Sequence, residues 1–210
     1  MISLNVPFLA NSTIVSKANA FLKDNNLNSV PIDIELVAED KYDINIVPFS
    51  GLKREYGIDG LPSRDCSAIY VDKSIYEEIP NRLRFTIAHE LGHIILHKQY
   101  IQQVSWASVD EWISVYENID TKDINFMEYQ AYAIAGLILV PQKSLKTLFI
   151  GRLPNINPLI QLAQQSNLTR TDYIEPAIFA MADLLSYQFA VSKEVIARRI
   201  RFDELDKLIK

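Results

Sequence analysis

The feature that most constrains this chain is the run His-Glu-Leu-Gly-His at residues 89–93. In an α-helix, residues four positions apart share a face, so His89 and His93 can direct two imidazole nitrogens at one point. Glu90 is rotated by about 100° from His89 around the helix, which places its carboxylate beside that point. Two helical imidazoles with an adjacent carboxylate are typical of a catalytic zinc site. The motif therefore predicts a helix that carries two zinc ligands.

The motif is specific, because a random chain of this length contains it in well under about one case in 100. All three histidines of the chain lie between residues 89 and 97. The surrounding segment from Pro80 to about Lys98 is itself predicted to be helical, with Pro80 in the first turn. The alternative, a helix with solvated histidines, is less favoured than a metal site.

A catalytic zinc ion needs a third protein ligand and an open position for water. Leu96 and Gln99 occupy the positions where a metzincin has Gly and His. His97 lies two helical turns from His89, so we expect it outside the ligand set and expect its replacement to leave zinc binding intact. Glu128 opens an otherwise apolar predicted helix, where it is either a metal ligand or a solvated acid favoured by the helix dipole. The local pattern does not decide between these two roles.

The order of predicted elements indicates an α+β fold. A small sheet lies between amphipathic helices and the motif helix, and only helical patterns follow Gln142. We place a domain boundary near Gly151, which divides the chain into residues 1–150 and an all-helical region of residues 151–210. The predicted elements are a helix over Thr13–Asp24 capped by Ser12 or Thr13, a helix from Asp33, strands over Asp43–Phe49 and Ser67–Asp72, and helices over Val109–Tyr116 and Asn125–Val140.

Composition excludes several classes of protein. The 210 residues carry a net charge of −5, which argues against a protein that coats nucleic acid. A single cysteine excludes an intrachain disulfide and a Cys-rich zinc finger. The N-terminus shows no signal-peptide pattern, and the apolar, uncharged stretch Tyr129–Gln142 is too short to span a bilayer. We therefore expect a soluble, cytoplasmic protein.

The segment RFTIAHELGHIILH, residues 84–97, resembles the signature of the ImmA/IrrE family of zinc metallopeptidases. A second signature of that family begins with Glu and ends in Leu-Leu-Met-Pro, and Glu128, Ala131, Ala135, Leu139 and Pro141 are in register with it. Tyr132 stands where the family has Asn. The resemblance covers about residues 14–141.

The resemblance implies a zincin-like core with one Zn²⁺ per chain, Glu128 as the third ligand and Glu90 as the catalytic carboxylate. Zinc would lower the pKa of its water, and Glu90 would act as general base. Tyr129 and Tyr132 are both candidates for a second oxyanion donor, and the sequence does not choose between them.

Three further features bear on the substrate. The strand Ser67–Asp72 is expected to be an edge strand that pairs with an extended peptide. Residues 99–126 contain five acids and one lysine, which fits either a basic substrate segment or a solvated loop. Cys66 is either an inert thiol, the commoner case, or a thiolate that reaches the zinc as a redox-sensitive lock.

The C-terminal segment Ala182–Ile200 has the rhythm of a helix-turn-helix, with a turn at Ala190 and Val191 and Ser192 as the second N-cap. Arg198, Arg199 and Arg201 add local positive charge. The acidic chain favours core packing or protein docking over direct DNA binding. Family members are linked to helix-turn-helix repressors, which implies a DNA-binding repressor as the substrate.

These features together predict a zinc-dependent endopeptidase that cleaves a partner protein, a helix-turn-helix transcriptional repressor, and thereby controls gene expression. A non-hydrolytic zincin-fold binding protein is one alternative, and a toxin-like partner of a repressor-type antitoxin is another. The intact Glu90 favours the enzyme, because a pure binder needs no base beside the metal.

Overall fold

The computed structural model describes residues 1–210, which form nine α-helices and three β-strands. The mixture of many helices with one small sheet agrees with the predicted α+β class. The helices are α1 Asn11–Asp24, α2 Ile34–Tyr42, α3 Lys73–Glu78, α4 Pro80–Ile101, α5 Val109–Asn118, α6 Thr121–Leu139, α7 Gln142–Gln165, α8 Arg170–Phe189 and α9 Lys193–Phe202, and the strands are β1 Asn45–Phe49, β2 Gly60–Pro62 and β3 Ala68–Asp72.

The chain divides into two compact units. Unit 1 comprises residues 1–28 and 33–138 and contains the sheet and the motif helix α4. Unit 2 comprises residues 29–32 and 139–210 and is helical. Helix α7 is continuous through residues 150 and 151, and the predicted division there remains a prediction. No single helix in the chain combines the length and apolar character of a membrane span.

The sheet has the strand order β1-β3-β2. Strand β3 pairs in parallel with β1, where Asn45 faces Ala68, and antiparallel with β2, where Leu61 faces Tyr70. The prediction that Ser67–Asp72 is an edge strand is therefore wrong, because both sides of β3 are hydrogen-bonded within the sheet. Strand β2 lies at the edge instead. The sequence does not predict this strand, because its three residues lie in a segment rich in glycine and turn-forming residues. The same segment contains a π-helical turn over Leu52–Tyr56.

The first two helices follow their amphipathic patterns closely. Helix α1 begins two residues earlier than predicted, with Ala10 as its N-cap and no side-chain capping bond, so the predicted cap at Ser12 or Thr13 is wrong. The Asp33 side chain caps α2 by accepting a hydrogen bond from the Leu36 backbone N–H. The inner residues of α2, Ile34, Val37 and Ala38, are buried as predicted.

Helices α4 and α6 approach each other closely at Gly92, in the middle of the motif. A Cβ atom at this position would lie 2.8 Å from Ile134 Cγ2 and 3.1 Å from the Ala131 carbonyl oxygen. A side chain at position 92 would therefore force the two helices apart. The missing side chain allows α6 to lie against the face of α4 that carries the histidines.

Helix α6 begins at Thr121, four residues before the predicted start. Glu128 therefore lies two turns into the helix, where the dipole of the first turn no longer reaches it. Asp123, in the first turn, is buried, and its carboxylate accepts hydrogen bonds from the backbone N–H groups of Leu4, Asn5 and Val6 at 2.7–3.1 Å. This acid anchors the N-terminal segment and is not part of a solvated loop.

Unit 2 contains the predicted helix–turn–helix rhythm. Helix α8 ends at Phe189, Ala190 adopts a left-handed conformation, and α9 follows Ser192 at its N-cap position. Gly151, the residue near which the sequence analysis places a boundary, lies inside α7 together with Pro154 and Pro158.

Candidate metal centre

The structure brings together the three side chains that the sequence proposes as metal ligands. The Nε2 atoms of His89 and His93 are 3.1 Å apart. Glu128 reaches them from α6, with Oε2 3.2 Å from His89 Nε2 and Oε1 3.6 Å from His93 Nε2. Three potential ligand atoms from two helices thus lie within 4.8 Å of one another.

This arrangement fits a zinc ion. Ligands at about 2.0–2.1 Å from a tetrahedral zinc ion are about 3.3 Å from each other, close to the separations of these three atoms. Two imidazoles and one glutamate are also a known ligand set of catalytic zinc, with a fourth position for water. The donor set and its spacing therefore suit the metal that the motif predicts.

The site electrostatics follow from these contacts. Burial disfavours the charged form of His89, but the hydrogen bond to Glu128 and the charges of Glu90 and Glu128 outweigh it and raise the pKa of His89. Burial acts against the Glu128 carboxylate, and the hydrogen bonds of His89 and His93 override it and hold the pKa of Glu128 far below its usual range. The carboxylate is therefore ionised, as a ligand must be.

Glu90 is buried beside this cluster and is not among the three converging groups. Its burial raises the pKa of the carboxyl, against the attraction of the two histidines. A raised pKa makes the carboxylate a stronger base, which suits the role of a general base. Its neighbour Gly60, on edge strand β2, has room for no side chain, since a Cβ there would lie 2.7 Å from Thr86 Cγ2 and 3.5 Å from Glu90 Cγ.

His97 lies outside the three-residue cluster, as expected. It is almost fully buried, with Nδ1 3.2 Å from His93 Nδ1 and Nε2 3.0 Å from Gln130 Oε1. Burial and the neighbouring His93 lower the pKa of His97 to about 4. These contacts connect His97 to the candidate ligand His93.

Of Tyr129 and Tyr132, the two candidates for a second oxyanion donor, only one lies at the site. Tyr129 is exposed and donates its hydroxyl hydrogen bond to Asn11 Oδ1 at 2.6 Å, and it does not line the cavity beside the ligands. Tyr132 lines that cavity and packs on Phe85, with ring centroids 4.9 Å apart. Sequence reasoning missed Tyr116, whose hydroxyl donates to Glu128 Oε1 at 3.1 Å. Its only sequence signal is a position on the amphipathic helix α5.

The candidate ligands face a cavity of about 620 Å³. Gly57, Ile58, Asp59, Gly60 and Pro62 form one wall, which includes part of edge strand β2. Other parts of the wall are apolar and include Ile101, Val104, Trp106, Trp112, Ile113 and Met127. The cavity therefore combines a strand edge, a cluster of titratable groups and an apolar surface.

Helix α5 forms part of the wall and has no fully buried residue. Its first turn is linked to the region before β2 by a 2.8 Å hydrogen bond from the Tyr56 hydroxyl to Asp110 Oδ1. Its last turn is linked to the candidate ligand Glu128 through Tyr116. These two bonds hold α5 across the cavity.

Cys66 is buried, and burial raises the pKa of its thiol. It does not line the cavity, and it belongs to neither the three-residue cluster nor the residues around Glu90. The geometry therefore favours the inert thiol over a redox-sensitive lock.

Comparison with known proteins identifies both a fold relative and a family. A solved Mycobacterium tuberculosis transcriptional regulator shares the fold, with a TM-score of 0.51, 13% identity and 92% coverage of this chain. This chain spans 47% of that structure's length. No curated protein matches. The family model described as the IrrE N-terminal-like domain, peptidase family M78, matches residues 76–201, more than half of the sequence, and this chain belongs to that family.

Proposed function

We propose that this protein is a zinc-dependent endopeptidase in which His89, His93 and Glu128 hold the metal and Glu90 is the general base. The observation that supports this most strongly is the convergence of the three ligand atoms beside a buried fourth carboxyl group at the wall of a large cavity. Membership of a peptidase family agrees with it. One zinc ion per chain follows from the single cluster.

Zinc held there supplies a water molecule of lowered pKa and a Lewis acid for the scissile carbonyl. Glu90 accepts the proton of that water and later delivers it to the leaving amine. Its raised pKa makes the carboxylate a better proton acceptor in the first half of this transfer. Tyr116 orients the carboxylate of Glu128 through its hydrogen bond. Of the two tyrosines predicted to be oxyanion donors, only Tyr132 faces the cavity, which makes it the better candidate.

The cavity indicates the kind of substrate. The free edge of β2 beside Glu90 can pair with an extended peptide backbone, which is the role that the sequence assigns to Ser67–Asp72. The apolar wall suits a large apolar or aromatic side chain near the scissile bond. A partner protein, specifically a helix-turn-helix repressor, remains the proposed substrate, and the cytoplasmic location expected from the sequence stays a prediction.

Helices α8 and α9 are proposed to dock a protein and not DNA. Arg199 is buried against Asp203, and Arg201 is paired with Glu175. Two of the three arginines that make the tail basic are therefore already occupied by acids, which leaves little one-sided positive surface for phosphates.

A peptide library derived from a bacterial proteome, with its products identified by mass spectrometry, tests hydrolysis even though the natural substrate is unidentified. We expect zinc-loaded protein to cleave beside large apolar residues, and a helix-turn-helix repressor encoded near its gene to be cut as intact protein. Glu90→Gln should keep the zinc and lose about 10²–10⁴-fold in rate. Glu78→Gln, an exposed acid at the end of α3, is the matched control.

The competing function is regulation without hydrolysis. If wild-type protein cleaves nothing in the library, and Glu90→Gln still induces the target genes at full strength, the non-hydrolytic binding protein replaces the peptidase.

A further inference from the structure

A line of buried polar groups starts at the Nδ1 atom of His93, whereas Glu128 lies near the Nε2 atom of the same ring. His93 Nδ1 is 3.2 Å from His97 Nδ1, and His97 Nε2 is 3.0 Å from Gln130 Oε1. Gln130 Nε2 donates in turn to the Pro7 carbonyl oxygen at 2.8 Å. His93, His97 and Gln130 are each at most 6% exposed. None of the groups behind His93 belongs to the proposed ligand set.

Each hydrogen bond in this line has only one possible direction. The Pro7 carbonyl oxygen can only accept, so the amide nitrogen of Gln130 must point towards it. The amide oxygen of Gln130 then faces His97 and can only accept, so His97 Nε2 must carry a proton. A neutral imidazole has one donor and one acceptor, and burial favours the neutral form, so His97 Nδ1 accepts.

The hydrogen bond between His97 and His93 determines which ring nitrogen of His93 carries the proton. Because His97 Nδ1 accepts, the Nδ1 atom of His93 must donate the hydrogen bond between them. His93 then has its proton on Nδ1 and a lone pair on Nε2, the atom that lies 3.1 Å from His89 Nε2 and 3.6 Å from Glu128 Oε1. A lone pair at Nε2 is what a metal ligand needs.

We propose that Gln130 and His97 are positioning residues that hold His93 in its metal-binding tautomer, with the Pro7 carbonyl oxygen as the fixed end of the relay. The proposal rests on the proposed metal centre but not on hydrolysis. It also revises the expectation that replacing His97 leaves zinc binding intact. In this relay His97 acts through His93, although it is not itself a ligand.

The tautomers can be read directly by long-range ¹⁵N–¹H NMR of the full chain with ¹⁵N-labelled histidine, both zinc-loaded and metal-free. We expect His97 to be protonated on Nε2 and not on Nδ1 in both forms, and His93 to be protonated on Nδ1. Protonation of His97 on Nδ1 in the zinc-loaded protein would overturn the relay. Since the signal is independent of turnover, a protein that binds zinc without cleaving peptides still tests the relay.

Zinc affinity, measured by competition with a chromogenic chelator, provides the second test. His97→Phe and Gln130→Met should weaken binding by about 10–100-fold, the usual effect of losing a partner of a metal-bound imidazole. His97→Asn restores an acceptor near the position of Nδ1 and should bind zinc more tightly than His97→Phe.

Circular dichroism and thermal unfolding of the same variants separate positioning from folding. Wild-type affinity in both His97→Phe and Gln130→Met, or an equal loss in His97→Asn and His97→Phe, would contradict the relay. A variant that does not fold leaves the histidine spectrum of the wild-type protein as the deciding measurement.

Discussion

The candidate metal cluster of unit 1 and the arginine-bearing helix α9 of unit 2 both stand out in the sequence by the charge and spacing of their residues, but their charged side chains have different surroundings. In the cluster, His89, His93 and Glu128 converge at a cavity. In α9, Arg199 donates to Asp203 at 2.6 Å, and Asp203 also accepts from Gln142. The first group presents its donor atoms to a cavity, whereas the second satisfies its charge locally. In this chain, the adjoining cavity is what distinguishes the candidate ligand cluster from the paired charges of α9.

The same contrast exists within helix α6. Asp123 and Glu128 are five residues apart, and both are acids in an otherwise apolar or mixed sequence. Asp123 accepts hydrogen bonds from three backbone N–H groups and does not line the cavity beside the candidate ligands. Glu128 contacts the imidazoles of His89 and His93, accepts a hydrogen bond from the Tyr116 hydroxyl, and lines the cavity. The partners of a carboxylate, not its position in the sequence, distinguish an anchor from a ligand.

Removing the third ligand should have the largest effect. Glu128→Ala is expected to reduce zinc affinity by about 10³-fold, because one of three protein ligands carries a large share of a binding free energy of about 10–16 kcal/mol. Chelator competition and elemental analysis measure this loss. Affinity close to that of the wild type would show that Glu128 is not a ligand. The contrast between a ligand cluster in unit 1 and paired charges in α9 would then fail.

The arginine of α9 should matter for stability alone. Arg199→Met leaves Asp203 buried without its cation and should lower the free energy of unfolding by about 3 kcal/mol, as broken buried pairs do. Arg199→Met/Asp203→Asn should recover most of that loss, since the amide can still accept from Gln142. Urea unfolding of the three proteins gives both values. A double variant no more stable than the single one would mean that Arg199 stabilises the fold through contacts other than its pairing with Asp203.

Asp123 tests the contrast inside α6. Asp123→Asn retains one acceptor oxygen and places an amide group against backbone N–H donors, so we expect the free energy of unfolding to fall by about 2 kcal/mol. Zinc affinity of the folded variant should stay near that of the wild type. An affinity loss comparable to that of Glu128→Ala would place both acids in one functional cluster.

Tyr116 should have a smaller effect on the metal centre. Tyr116→Phe removes the hydroxyl that orients Glu128 and should weaken zinc binding by about tenfold. Tyr129→Phe is the matched control, because its hydroxyl binds Asn11 outside the cavity, and its affinity should not change. Equal behaviour of the two variants would show that the Tyr116 hydrogen bond does not support the ligand.

DNA binding by α9 should be absent. Fluorescence anisotropy with DNA from the promoter region of its own gene should show no sequence-selective binding at physiological salt, because Arg199 and Arg201 are already paired. Tight and selective binding would overturn the view that the charge of α9 is satisfied locally. Arg198 would then be the first residue to replace.

The sequence was sufficient where geometry is local. The i, i+4 spacing of His89 and His93 lies within one helix, whose backbone brings the two rings together whatever packs around it. The existence of helix α4 and of the helix–turn–helix arrangement of α8 and α9 was likewise predicted from capping residues, proline positions and apolar periodicity. The mixed α+β class followed from the order of these local patterns.

Relations across the chain needed the tertiary structure. The pairing of β3 on both sides, and hence the edge position of β2, depends on strand contacts that local periodicity does not specify. Tyr116 and Gln130 gave no chemical signal, because a tyrosine on an amphipathic helix and a glutamine in an apolar one are common in protein cores. Only their distances to Glu128 and His97 connect them to the site.

The sequence by itself determined one helix with two imidazoles and an adjacent carboxylate, together with a family resemblance that pointed to Glu128. The tertiary structure decided that Glu128 meets those imidazoles, because Gly92 lets α6 lie directly against α4. It also decided that His97 meets Gln130, which in turn donates to the Pro7 carbonyl oxygen. The physical reason is that a helix fixes the directions of its own side chains, whereas contacts between residues far apart in sequence depend on how the elements pack.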